Sequence, residues 1–133
     1  MNTLEETNSV LLENILVQAK YFLDNADEFY PFGSVIDNKG ELKPMGAYTG
    51  IEHPDSVEAF NLLEKGVKLG IEKKKYLAAA IGTDVFLSKE TGGEIEKRTA
   101  IQIRFYSSDP LTSDKYFYYF HSENGYSFEE TWL

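Results

Sequence analysis

Cysteine is absent from the chain, and that one absence removes disulfide staples, thiolate nucleophiles and cysteine-based metal sites together. Histidine is scarce as well: His53 and His121 are the only two, and neither stands in a ligand spacing such as H-E-x-x-H. No metal and no cofactor are therefore expected. Long apolar runs are also missing. Runs such as Leu77 to Ile81 and Tyr116 to Phe120 fall far short of the roughly 20 residues that span a bilayer, and Met1 to Thr7 has no basic leader region. The expectation is a cytoplasmic protein with no membrane segment. Positive charge is in deficit: 13 Lys and Arg stand against 22 Asp and Glu, a net charge of −9. That field repels phosphate backbones and anionic membranes, which excludes nucleic acid as a partner, and it steers basic partners in.

The motifs of nucleotide and acyl chemistry are missing too. No G-x-G-x-x-G or P-loop pattern occurs, and Gly46, Gly50, Gly66 and Gly70 are dispersed. Ser34 follows Gly33, but P-F-G-S lacks the strand-to-helix setting of a nucleophile elbow. The three lysines Lys73 to Lys75 suit the carbonyl end of a helix better than a phosphate backbone.

What is present is large apolar side chains: nine Phe, nine Tyr and one Trp, enough to build a core in one domain spanning residues 1–133. Leu12, Ile15, Leu16, Ala19, Phe22, Leu23 and Ala26 recur at helical steps, predicting a helix from Leu4 or Asn8 to Asp27. Thr3-x-x-Glu6 resembles a capping box, and Pro31 is expected to stop the helix. A second helix is announced by His53-Pro54-Asp55-Ser56, with Asp55 as cap and Val57, Phe60, Leu63, Val67 and Ile71 as its buried stripe. Gly66 and Gly70, one turn apart, mark a close approach to a sheet.

The remainder reads as strands. Tyr76 to Ser88 alternates larger residues with the small face Ala78, Ala80, Gly82, and Thr99 to Tyr106 alternates Ile101, Ile103, Phe105 with Gln102 and Arg104. Gly92-Gly93 joins them as a hairpin, Lys115 to His121 forms another strand, and Asn124-Gly125 turns into a tail that could add a short edge. Between the helices, Ser34 to Asp37 and Glu41 to Met45 form a hairpin around Asp37-Asn38-Lys39-Gly40, its second strand confined to an edge by Pro44. The expected fold is α+β: a single antiparallel sheet of about five strands with two packed helices, in the order αββαβββ.

That order resembles the roadblock and profilin-like folds in topology only. E-F-Y-P-F-G, then V-I-D-N-K-G-E, A-A-A-I-G-T-D-V and T-A-I-Q-I-R-F, resembles a group of small bacterial proteins to which no activity is attached. The likeness carries no catalytic residue across.

Two functions follow as expectations. The first is a non-enzymatic acidic interaction domain, in which Tyr116, Tyr118, Tyr119 and Trp132 meet a protein partner, a basic one by charge; an immunity or antitoxin role fits it. The aromatic face or an open edge strand also offers a route to a homodimer. The second is a small-molecule-binding or enzymatic domain with a pocket at the Pro31 to Gly33 turn, using Phe32, Asp84, Arg104 and His121. Asp84 stands out within an apolar strand and is expected to pair with Arg104 across the hairpin.

Overall fold

A computed structural model describes residues 3–46 and 55–131. The readings at His53, Pro54 and Trp132 lie outside the described residues. Helix α1 runs Leu4–Ala26, and the Glu6 amide donates to Thr3 Oγ1 at 3.1 Å, so the capping box sets its start. The helix ends before Pro31 is reached. Asp27 takes a left-handed conformation with φ 58° and donates its amide to the Leu23 carbonyl, which closes the last turn; Pro31 instead lies buried just ahead of the first strand.

Strands β1 (Phe32–Asp37) and β2 (Leu42–Gly46) form the expected hairpin. Asp37 Oδ1 accepts from the amides of Lys39 and Glu41, and Gly40 supplies the positive φ of 82° that the corner needs. Helix α2 (Ser56–Glu72) starts at Asp55, whose carboxylate accepts from the amides of Val57 and Glu58. Its buried row is Ala59, Leu63, Val67 and Gly70; of the expected stripe, Leu63 and Val67 are buried, Phe60 and Ile71 pack partly buried beside them, and Val57 is outside it. Val57 is 69% exposed, while Ala59 in the same turn is buried, so the buried row is turned away from Val57. Gly66 lies against the Met45 side chain and Gly70 against the Tyr76 ring, so both glycines do sit where the helix meets the sheet.

Strands β3 (Tyr76–Thr91), β4 (Glu94–Ser107), β5 (Ser113–Ser122) and β6 (Gly125–Thr131) complete one antiparallel sheet in the order β2-β1-β3-β4-β5-β6. Among the described residues the sheet thus has six strands where about five were expected, because the tail is a full strand bonded to β5 from Gly125 to Thr131. The helices cover opposite faces. Leu11, Ile15, Ala19 and Leu23 of α1 pack with Phe29, Phe32, Ala78, Ala80, Ile101, Ile103, Phe105 and Phe117. Leu63 and Val67 of α2 pack with Val35, Ala79, Ile81 and Tyr106. The small face of β3 is what lets α1 settle closely: a Cβ at Gly82 would lie 3.1 Å from Cγ2 of Ile15. Beyond Gly82 and Ala100 neither β3 nor β4 has an outer neighbour among the described residues, so residues 85–99 continue as a two-stranded ribbon.

Candidate functional site

Alternation along β5 divides its aromatic run between the two faces. Phe117 and Tyr119 point to the α1 side, where Phe117 is buried and Tyr119 packs edge-on to Phe29 and Tyr126. Tyr116, Tyr118 and Phe120 point to the α2 side. There α2 lies over β1, β3 and the near part of β4, so β5 and β6 extend past it. Tyr116 and Tyr118 are half-buried and Phe120 is 46% exposed. The Arg98 guanidinium stands 5.6 Å from the centre of the Tyr118 ring and pairs with Glu96 at 3.4 Å. Across the strands Tyr116 faces Thr131, Tyr118 faces Glu129 and Phe120 faces Ser127. Of the four residues expected to form one partner surface, then, Tyr116 and Tyr118 share a face, Tyr119 is on the opposite one, and Trp132 is outside the described residues.

Of the expected pocket residues, Asp84 and Arg104 border one shallow cleft, whereas Phe32 and His121 are not part of its lining. Phe32 is a core side chain in edge contact with Phe22 and Phe29. The two-residue turn at Gly92-Gly93 pairs Thr91 with Glu94, which sets Asp84 opposite Ile101 and Arg104 opposite Ile81. Pairing Asp84 with Ile101, an odd number of places from Arg104, puts the carboxylate and the guanidinium on opposite faces. Asp84 instead accepts the Tyr119 hydroxyl at 2.7 Å on the α1 side. Although the residue is exposed overall, burial of its carboxyl end holds it above the usual carboxylate range; Tyr119 opposes that shift and Glu28 adds to it. Burial also pushes the Tyr119 phenol up, with the Asp84 bond adding to it. His121 is an exposed residue in edge contact with Tyr126 at 5.0 Å.

Arg104 anchors a network that nothing local in the sequence announces. Its Nε and Nη2 donate to the two Asp114 oxygens at 2.8 and 3.1 Å, and its guanidinium stands 3.7 Å from Glu64 and 5.7 Å from the centre of the Phe60 ring. The Asp114 bond is the main cause that raises its pKa. The Tyr106 hydroxyl donates to Glu64 at 2.5 Å, and burial followed by that bond pushes the phenol well above its ordinary value. These pairs fasten α2 to β4 and β5. Beside them is that shallow cleft, of about 340 Å³, lined in part by Phe60, Thr83, Asp84, Gln102 and Arg104. Its one cation is already held at both Asp114 oxygens.

Ser34 is fully buried and donates to Asn14 Oδ1, while Gln18 Nε2 donates to Ser34 Oγ at 2.8 Å and to Asn14 at 2.7 Å. Two amides and no base surround the hydroxyl, so the cluster ties α1 to β1 and does not activate a nucleophile. Among the described residues no group of three His, Asp or Glu converges as a metal site, and no helix is long and apolar enough to cross a membrane. No protein family matches the chain, and neither does any curated protein or solved structure.

Proposed function

We propose that this protein is a non-enzymatic interaction domain that binds another protein through the side of the sheet carrying Tyr116, Tyr118 and Phe120. The observation that carries the reading is the reach of β5 and β6 past α2, with three aromatic rings on that half and one of them 46% exposed. Tyrosine with arginine stacked on it is a pairing that interface centres favour. The net charge of −9 adds a preference for a basic partner, as in a small acidic immunity or antitoxin protein neutralising a basic toxin.

The test is photocrosslinking in cells with a benzophenone amino acid at position 118, with a second label at the exposed Asn61 on α2 as control. A single protein captured at 118 and not at 61, and lost when Tyr116→Glu is added, supports the reading. Equal capture at both positions, or no capture together with saturable thermal stabilisation by a metabolite, refutes it.

A further inference from the structure

Helix α1 buries Leu11, Ile15, Ala19 and Leu23, and diametrically opposite that row it carries Val10, Val17 and Tyr21, exposed by 42, 61 and 65%. At 3.6 residues per turn these three lie within about 40° of one another on the helix circumference. Thr7 and Asn14 fill the same three- and four-residue spacing but turn towards the sheet side, where Asn14 accepts from Ser34, so the exposed apolar seam is Val10, Val17 and Tyr21. Single exposed apolar residues need no explanation, but a seam along the outermost line of a helix has no use within the fold described.

The charges beside the seam are acidic but for Lys20, which is paired with Asp24. Glu6, Glu13 and Asp24 run along one flank. Lys20 is the only basic residue of α1, and its ammonium is held at 2.9 Å by Asp24 and at 3.1 Å by the Tyr126 carbonyl. The helix ends with no basic residue in its last turn and with Asp27 and Glu28 just beyond, where the dipole already places negative charge. Acidic groups at that end work against helix stability unless positive charge arrives from outside.

We propose that the outer face of α1 is a second docking surface, and that its occupant is an amphipathic helix of another protein with an apolar seam and a lysine- or arginine-rich flank. A second copy of this chain does not fit: its own α1 would set one acidic flank against another on a molecule of net charge −9. The surface is separate from the Tyr116 to Phe120 face and stands or falls independently of it.

The experiment is fluorescence anisotropy with a labelled three-heptad peptide of leucine, alanine and lysine, leucines at the seam positions. One control has the same composition with the leucines scattered; another has glutamate for lysine. The first peptide is expected to bind saturably, at least about tenfold tighter than either control, and more weakly as salt rises from about 50 to about 300 mM. Val17→Glu should abolish the binding, and Glu13→Lys should weaken the lysine peptide while strengthening the glutamate one. Tyr118→Glu should leave both unchanged. Equal binding of the scattered peptide, indifference to Val17→Glu and Glu13→Lys, or loss through Tyr118→Glu would overturn the proposal. So would a wild-type dimer, measured by light scattering, that Val17→Glu converts to a monomer.

Discussion

Replacing Gly70 by alanine should destabilise the protein, although an alanine normally improves a helix. Substitution in a helix interior gains about 1 kcal/mol from propensity. At Gly70, however, a Cβ would lie 2.3 Å from Cδ2 and Cε2 of Tyr76 and 3.2 Å from its Cγ. The ring cannot swing clear at its far end, because the contact reaches its root. The chain also holds Tyr76 in place: the amides of Lys73, Lys74 and Lys75 all bond back to α2 carbonyls, folding β3 straight onto the helix. Overpacking of this kind costs about 1–3 kcal/mol, so the net effect is a loss of about 1 kcal/mol. Two comparisons isolate the cause. In a Tyr76→Ala background the same change should stabilise by about 1 kcal/mol, the propensity gain alone. Gly66→Ala should be mildly stabilising, about 0.5 kcal/mol, since its only close neighbour is the terminal methyl of Met45, at 2.8 Å, which can move aside. Urea unfolding followed by circular dichroism, with unchanged m-values, measures all of these. If Gly70→Ala stabilises the wild type as much as it stabilises Tyr76→Ala, the steric reasoning is wrong.

Two carboxylates should respond to pH with opposite signs. Folding raises the pKa of Asp84, so the residue favours the folded state while protonated and that contribution disappears as pH rises through its folded pKa; the melting temperature of Asp84→Asn minus wild type should become more positive from about pH 3 to about pH 7. A difference that stays flat would show that burial of the carboxyl end has no energetic consequence. Folding lowers the pKa of Asp37, chiefly through the Glu41 amide and then Lys43 at 3.0 Å, so its contribution is present above the ordinary carboxylate range and vanishes as pH falls through the folded value. Asp37→Asn should therefore lose most stability near pH 7 and converge on wild type near pH 2, in the same melting experiments; a deficit that widens towards low pH would contradict the assignment.

The parts of the fold that were legible in the sequence are those fixed by neighbours a few residues apart. Thr3 and Asp55 cap their helices through bonds three or fewer residues long, the Asp37 corner closes on its own backbone, and Gly92-Gly93 turns with both φ angles positive, at 60° and 86°. The site was less legible because its geometry depends on parity and on distant partners. An aromatic run such as Tyr116 to Phe120 has no polar alternation to say which rings face which way, so Tyr119 could not be separated from Tyr116 and Tyr118 without the register. Asp84 faces Ile101, an odd number of places from Arg104, so their side chains fall on opposite faces for the same reason. Glu64 and Tyr106 are 42 positions apart, and Arg104 reaches Asp114 across a loop. Their types are ordinary surface types, and only the fold makes them a cluster.

The edges of the sheet bear on how a partner can approach. In β2 the Asp37 amide donates to the Glu41 carbonyl, and bonded rungs alternate in an antiparallel pair, so Leu42, Pro44 and Gly46 turn their backbone outward. Pro44 has no N–H to offer there. In β6 the outward groups at Tyr126 are already taken: its amide donates to Asp24 at 2.9 Å and its carbonyl accepts from Lys20, so two α1 side chains do what a further strand would do. Gly125 makes that approach possible, since a Cβ there would lie 2.8 Å from the Asp24 carboxylate. The projecting ribbon carries Glu90, Glu94, Glu96, Lys97 and Arg98 along its length, and charge of this density discourages strand addition. Obstacles of three different kinds thus stand against backbone pairing, while rings on the sheet face and an apolar seam on α1 remain open to solvent. Association through side chains on faces, rather than through added strands, is the route this arrangement favours.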